Sequence, residues 1–159
     1  MATSIAPQNG SVTVHVLVVD DQVPFRRAAT AVCAMTAGFE VVGEAESGEE
    51  AVEIAAQTHP DVVLMDINLP GINGIEACRQ ILANQDAIVI LLSTYSRDDL
   101  PSDAQDCGAL AYVHKEELTP NVLEDLWRDR TTGGFWDRPP ANCRGVSRFG
   151  RRRRGFRGP

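Results

Sequence analysis

VVLMDINLPGING, from Val62 to Gly74, decides how this chain is read. Its first four residues, Val62, Val63, Leu64 and Met65, are apolar without alternation, the pattern of a strand covered on both faces. The run ends on one carboxylate, Asp66. Pro70 and Gly71 fix a turn in the loop from Ile67 to Asn73, and a helix is expected from Gly74. Open α/β sheets place their ligand sites beyond the carboxyl ends of their strands. Asp66 alone is an ordinary strand-end acid, so its meaning depends on what the other strands end in.

Four more apolar runs flank it. Val12 to Val19 ends on the acidic pair Asp20 and Asp21. Phe39, Val41 and Val42 form a second strand ending near Glu44. Ala87 to Leu92 runs into Ser93, Thr94 and Tyr95, and Ala109 to Val113, which holds Tyr112, is followed by Lys115. Helical patterns separate the strands. Phe25 to Ala37 stops at Gly38, and Ser47 with Glu50 caps a helix to about Gln57. A third helix spans Gly74 to Ala83. Pro101 sets the start of a fourth, within Ser96 to Cys107. Thr119 and Pro120 open a fifth that reaches about Arg130, burying Val122, Leu123, Leu126 and Trp127. Five strands alternating with five helices call for a parallel sheet with helices on both faces and right-handed crossovers. The expected fold is α/β and flavodoxin-like, a doubly wound (βα)5 sheet in strand order 2-1-3-4-5. That order puts the three most apolar strands in the middle.

Composition bounds the rest. The 159 residues suit one domain with some surplus. Residues 1–11 are small and polar and read as a disordered leader, 12–130 as the domain, and 131–159 as a disordered tail rich in Arg, Gly and Pro. The tail carries eight arginines against one aspartate, a formal +7, while the preceding 130 residues carry seven basic side chains against twenty-one acidic, −14. An acidic body repels nucleic acid, so any such contact falls to the tail. Cys33, Cys78, Cys107 and Cys143 show no metal-ligand spacing and suit a reducing compartment. With no secretory signal and no apolar run near the roughly 20 residues of a bilayer span, the expected location is cytoplasmic.

In a parallel sheet all carboxyl ends share one edge, which gathers Asp20, Asp21, Asp66, Ser93 and Lys115. Clustered carboxylates repel unless a counter-charge joins them, and a hard divalent cation such as Mg2+, which takes one or two carboxylates and keeps several waters, answers that need. An acid beside such a cation suits nucleophilic attack on phosphorus. The new phosphoryl oxygens then need the ion, an ammonium and a hydroxyl.

Through VLVVDD, VVLMDINLPGINGIEA, ILLSTY and GALAYVHK, the stretch from about Val12 to Arg130 resembles the receiver domain of bacterial two-component response regulators. The resemblance implies that Asp66 is the phosphoacceptor, and that Asp21, Asp66 and the backbone carbonyl of Asn68 hold Mg2+ with help from Asp20. It makes Ser93 and Lys115 the phosphoryl ligands, and Ser93 with Tyr112 the switch pair. It implies a sensor histidine kinase or phosphotransfer protein as donor and a downstream protein as target. The chain departs from the family pattern at Glu116, where a proline commonly follows the lysine. It departs again at Thr94, where alanine or glycine is common, and at Pro101 in the fourth helix.

The expected function is a stand-alone phosphorylation switch that signals by protein–protein contact and catalyses only its own phosphorylation and dephosphorylation. An Asp-nucleophile phosphohydrolase would place a DxD after the first strand, which Asp20-Asp21-Gln22 does not match. A flavodoxin-like electron carrier needs hydroxyls and glycines there, not an acidic pair. The alternative from another class is a nucleic-acid-binding regulator acting through the arginine tail.

Overall fold

A computed structural model of the chain describes residues 13–96, 99–130 and 146–148. Its elements are β1 (Val14–Val19), α1 (Val23–Ala34), β2 (Phe39–Ala45), α2 (Gly48–Thr58), β3 (Val62–Asp66), α3 (Gly74–Asn84), β4 (Ile88–Ser93), β5 (Ala111–His114), α4 (Pro120–Asp129) and β6 (Val146–Arg148). β1 to β5 pair in parallel in the order β2-β1-β3-β4-β5, as the alternation predicts.

Side chains alternate across the sheet and divide the core in two. Val16, Val18, Leu64, Ile90, Leu92 and Val113 pack with Ala29 and Cys33 of α1 and with Val122, Leu123 and Leu126 of α4. Leu17, Val19, Val63, Met65, Leu91 and Tyr112 pack on the opposite face with Ala51 and Ala55 of α2 and with Ile75, Cys78 and Ile81 of α3. Both faces of β3 are therefore dry, and all five of its residues are buried.

Local signals set the helix starts. The Ser47 hydroxyl accepts the Glu50 N–H at 3.1 Å, Asn73 Oδ1 accepts the Glu76 N–H at 2.9 Å, and the Thr119 hydroxyl accepts the Val122 N–H at 3.2 Å. Each satisfies an amide that the helix ladder leaves open.

Two regions depart from the sequence reading. The expected fourth helix is a five-residue 3-10 turn, Ser102–Asp106. Among its described side chains only Ala104 is buried, too narrow an apolar face to sustain an α-helix. Gly108, at φ +95°, then ends the segment. The second departure is β6, which pairs antiparallel with β5, Ala111 opposite Arg148 and Val113 opposite Val146. It lies where the sequence predicts no regular structure. Pairing there depends on main-chain groups that an open sheet edge offers to any sequence free of proline. The remaining leader and tail residues fall outside the described part of the chain.

Candidate functional site

Asp20 leaves β1 fully buried, and its backbone N–H donates to the Ala45 carbonyl at 3.0 Å. Its own carbonyl accepts Arg26 Nη1 at 2.8 Å, and its Oδ1 accepts the Gln22 N–H at 2.8 Å. Arg26, buried on α1, also pairs with Glu44 near the end of β2 at 3.3 Å and with Glu46 just beyond it at 3.1 Å. The guanidinium thus pins the ends of β1 and β2 together. Asp66 closes β3, and its Oδ1 accepts the Asn68 N–H at 3.2 Å.

Lys115 reaches across from the end of β5. Its Nζ lies 2.6 Å from Asp20 Oδ2 and 3.4 Å from Asp66 Oδ2. It also sits 4.4 Å from the centroid of the Phe25 ring, which covers the ammonium from α1. Asp20, Asp21 and Asp66 each offer a carboxylate oxygen, and these oxygens lie within 4.8 Å of one another. Burial, then the nearby Asp20 charge, pushes the Asp66 pKa from 3.8 to about 6, against the opposing pull of Lys115 and the Asn68 N–H.

These residues fit a hard divalent cation. The donor set is oxygen only, as such ions require. With all three carboxylates ionised, the single ammonium leaves a formal −2, which a divalent cation would offset.

Glycine makes the approach to Asp66 possible. A Cβ on Gly74 would lie 2.1 Å from the Asp66 carbonyl oxygen, so α3 can begin against the end of β3 only without a side chain there. In the intervening loop Gly71 adopts φ +75°. The neighbouring Ile72 N–H donates to Glu49 of α2 at 3.3 Å.

Ser93 ends β4, fully buried and one residue beyond Leu92, which pairs with Asp66. Its Oγ accepts the Tyr95 N–H at 3.0 Å. The buried Tyr112 shares its hydroxyl proton between the Ser93 carbonyl, at 3.2 Å, and the Tyr95 carbonyl. His114 Nε2 lies 3.0 Å from the Thr94 carbonyl. The Lys115–Glu116 bond is trans, like every described peptide.

Asp20, Asp21, Asp66 and Lys115 therefore meet in one cluster. Ser93 and Tyr112 stand on the two adjoining strands, and Asn68 reaches Asp66 through its N–H. Sequence reasoning passed over Arg26, Phe25, Glu49 and His114. The adjacent pair Arg26-Arg27 stands in an Ala-rich helix just after the acidic pair, but nothing in the pair singles out Arg26.

Topology and edge chemistry define an acidic-edged member of the flavodoxin-like α/β class. Comparison with known proteins narrows this: residues 16–126 match the response regulator receiver domain, and the chain belongs to that family. It is 38% identical over 127 residues to the transcriptional regulatory protein DegU of Brevibacillus brevis, covering 79% of this chain and 53% of that protein. Among solved structures it resembles the response regulator domain of Thermotoga maritima CheB at 31% identity and TM-score 0.67, covering 73% of this chain and 95% of that one. A chain in the CheX-CheY-BeF3-Mg complex of Borrelia burgdorferi is similar at 27% identity and TM-score 0.66, covering 75% and 90%. The chain spans about half the length of DegU. No helix among the described residues is long and apolar enough to cross a membrane.

Proposed function

We propose that Asp66 accepts a phosphoryl group in a Mg2+-dependent reaction and that the resulting change is passed on by protein–protein contact. The observation that carries this reading is the Lys115 ammonium set between Asp20 and Asp66 in an oxygen-only acidic cluster. An Asp66 carboxylate oxygen attacks phosphorus, the bond to the donor's leaving group breaks, and an acyl phosphate forms. Asp20, Asp21, Asp66 and the Asn68 carbonyl would hold Mg2+, which when bound neutralises phosphoryl charge and orients the donor. Lys115 neutralises a second phosphoryl oxygen, and the Ser93 hydroxyl donates to a third once it turns from the Tyr95 N–H. Tyr112 then follows the loop it holds. The name of the Borrelia complex, with BeF3 and Mg, supports the same ion and phosphoryl chemistry for this fold.

Under this reading the donor is a sensor histidine kinase or phosphotransfer protein in the cytoplasm, the recipient is a downstream protein, and catalysis is confined to the chain's own phosphorylation and dephosphorylation. The family match lies in residues 16–126 and so lends nothing to nucleic-acid binding through the arginine tail.

The test is intact-mass measurement after treatment with Mg2+ and acetyl phosphate. One phosphoryl group should appear and be released by hydroxylamine, as a mixed anhydride is. Asp66→Asn should take none, and Asp21→Ala should lose metal affinity and labelling together. Lys115→Ala should keep most metal binding but handle the phosphoryl group poorly. Full labelling of Asp66→Asn would refute the assignment.

A further inference from the structure

The loop that carries the Ser93 hydroxyl is gripped from β5 at three consecutive carbonyls. Tyr112 and His114 are two residues apart on one strand and so project to the same face. Tyr112 donates to the carbonyls of Ser93 and Tyr95. His114 takes the one between them, the Thr94 carbonyl, at 3.0 Å. The proton position on the ring follows from its other bond. The Glu116 N–H donates to His114 Nδ1 at 3.1 Å, so that nitrogen carries the lone pair and the neutral ring bears its proton on Nε2. Nε2 therefore donates to Thr94. One imidazole joins the hydroxyl loop to the turn Lys115–Glu117, whose first residue is the site lysine.

We infer that His114 is a positioning residue that, through the Thr94 carbonyl, holds the Ser93–Tyr95 loop in the arrangement that commits the Ser93 Oγ to the Tyr95 N–H. The inference rests on the reading of Asp66 as phosphoacceptor. In the described arrangement Ser93 Oγ is engaged by the Tyr95 N–H. Because that bond ties Oγ to the loop backbone, turning the hydroxyl to a phosphoryl oxygen draws the loop with it, and the His114 bond opposes that shift. A single hydrogen bond of ordinary net strength biases such an equilibrium roughly three- to ten-fold. His114 thus sets how readily Ser93 becomes available, without touching the reacting atoms.

Two substitutions separate the two bonds of the ring. His114→Asn keeps an acceptor for the Glu116 N–H, in the manner of an Asx turn, but is too short to reach Thr94. His114→Gln carries an amide N–H out to the Thr94 carbonyl. With acetyl phosphate and Mg2+, H114N should be labelled roughly three- to ten-fold faster than wild type, with its melting temperature little changed, and H114Q should return towards the wild-type rate. Labelling of H114N at or below the wild-type rate, or H114Q as fast as H114N, would overturn the inference while leaving Asp66 in place. A wild-type protein that takes no label would sink the Asp66 reading and this inference together. Should H114N not melt cooperatively, wild-type protein decides. On adding beryllofluoride and Mg2+, the His114 Nε2–H proton should exchange faster with water, and an unchanged rate would count against the grip.

Discussion

Asp66 carries its charge at a cost to the fold. In the unfolded chain it titrates with the ordinary pKa of 3.8, and in the folded protein at about 6. Between those values the folded state keeps a proton that the unfolded state has released, so stability falls as pH rises. The stabilising contribution is complete below about pH 4 and gone above about pH 6. At neutral pH the ionised, buried carboxylate therefore weighs against folding by ~1–3 kcal/mol. Asp66→Asn should melt higher than wild type at about pH 7, and the gap should close near pH 4. Adding Mg2+ at neutral pH should narrow the gap from the wild-type side, since a cation bound only by the folded state stabilises it. Equal melting temperatures at neutral pH would contradict the charge balance drawn here. The acids and Lys115 were legible in the sequence because strand ends in a parallel sheet share an edge. Arg26 and His114 were not. Arg26 bonds the Asp20 carbonyl and His114 the Thr94 carbonyl, and main-chain groups look alike at every residue.

At the scale of elements, the junction of β3 and α3 is the tightest constraint on the site. Alanine has the higher helix propensity, so Gly74→Ala should by itself stabilise α3 by about 1 kcal/mol. The added methyl would instead meet the Asp66 carbonyl oxygen at 2.1 Å and the Ile67 Cα at 2.9 Å, both backbone atoms that cannot rotate aside. We expect a net loss of ~2–4 kcal/mol in denaturant unfolding, with labelling reduced as Asp66 is displaced. A neutral or stabilising outcome would show that helix and strand can separate freely. β1, β3, β4, β5 and the four α-helices were legible because each buries an apolar run or stripe, and the half-buried β2 showed itself through Phe39, Val41 and Val42. The turn at Ser102–Asp106 was misread as a helix because Pro101 signals where one starts, whereas length depends on an apolar stripe that is missing.

Across the whole molecule, the sheet separates α1 and α4 from α2 and α3, and β6 closes the edge at β5. Deleting residues 131–159 removes β6 but none of the described residues of either core cluster. The truncated protein should keep a cooperative melt, lowered by less than about 5 °C, and should be labelled as before. Aggregation on truncation would show that the exposed β5 edge needs its cover.

The buried cysteines fall on both sides of that sheet. Cys33 lies on the buried face of α1, while Cys78 and Cys107 lie on the opposite side, where Cys78 Sγ donates to the Cys107 carbonyl at 3.6 Å. Tyr112 belongs to the same cluster as Cys78 and Cys107. Repacking that begins at Tyr112 should loosen that layer and leave the other undisturbed. The native thiols are then a built-in pair of gauges. Under beryllofluoride and Mg2+, alkylation of Cys78 and Cys107 should change rate while that of Cys33 stays constant. One digest read by mass spectrometry would show which half of the protein hears the signal.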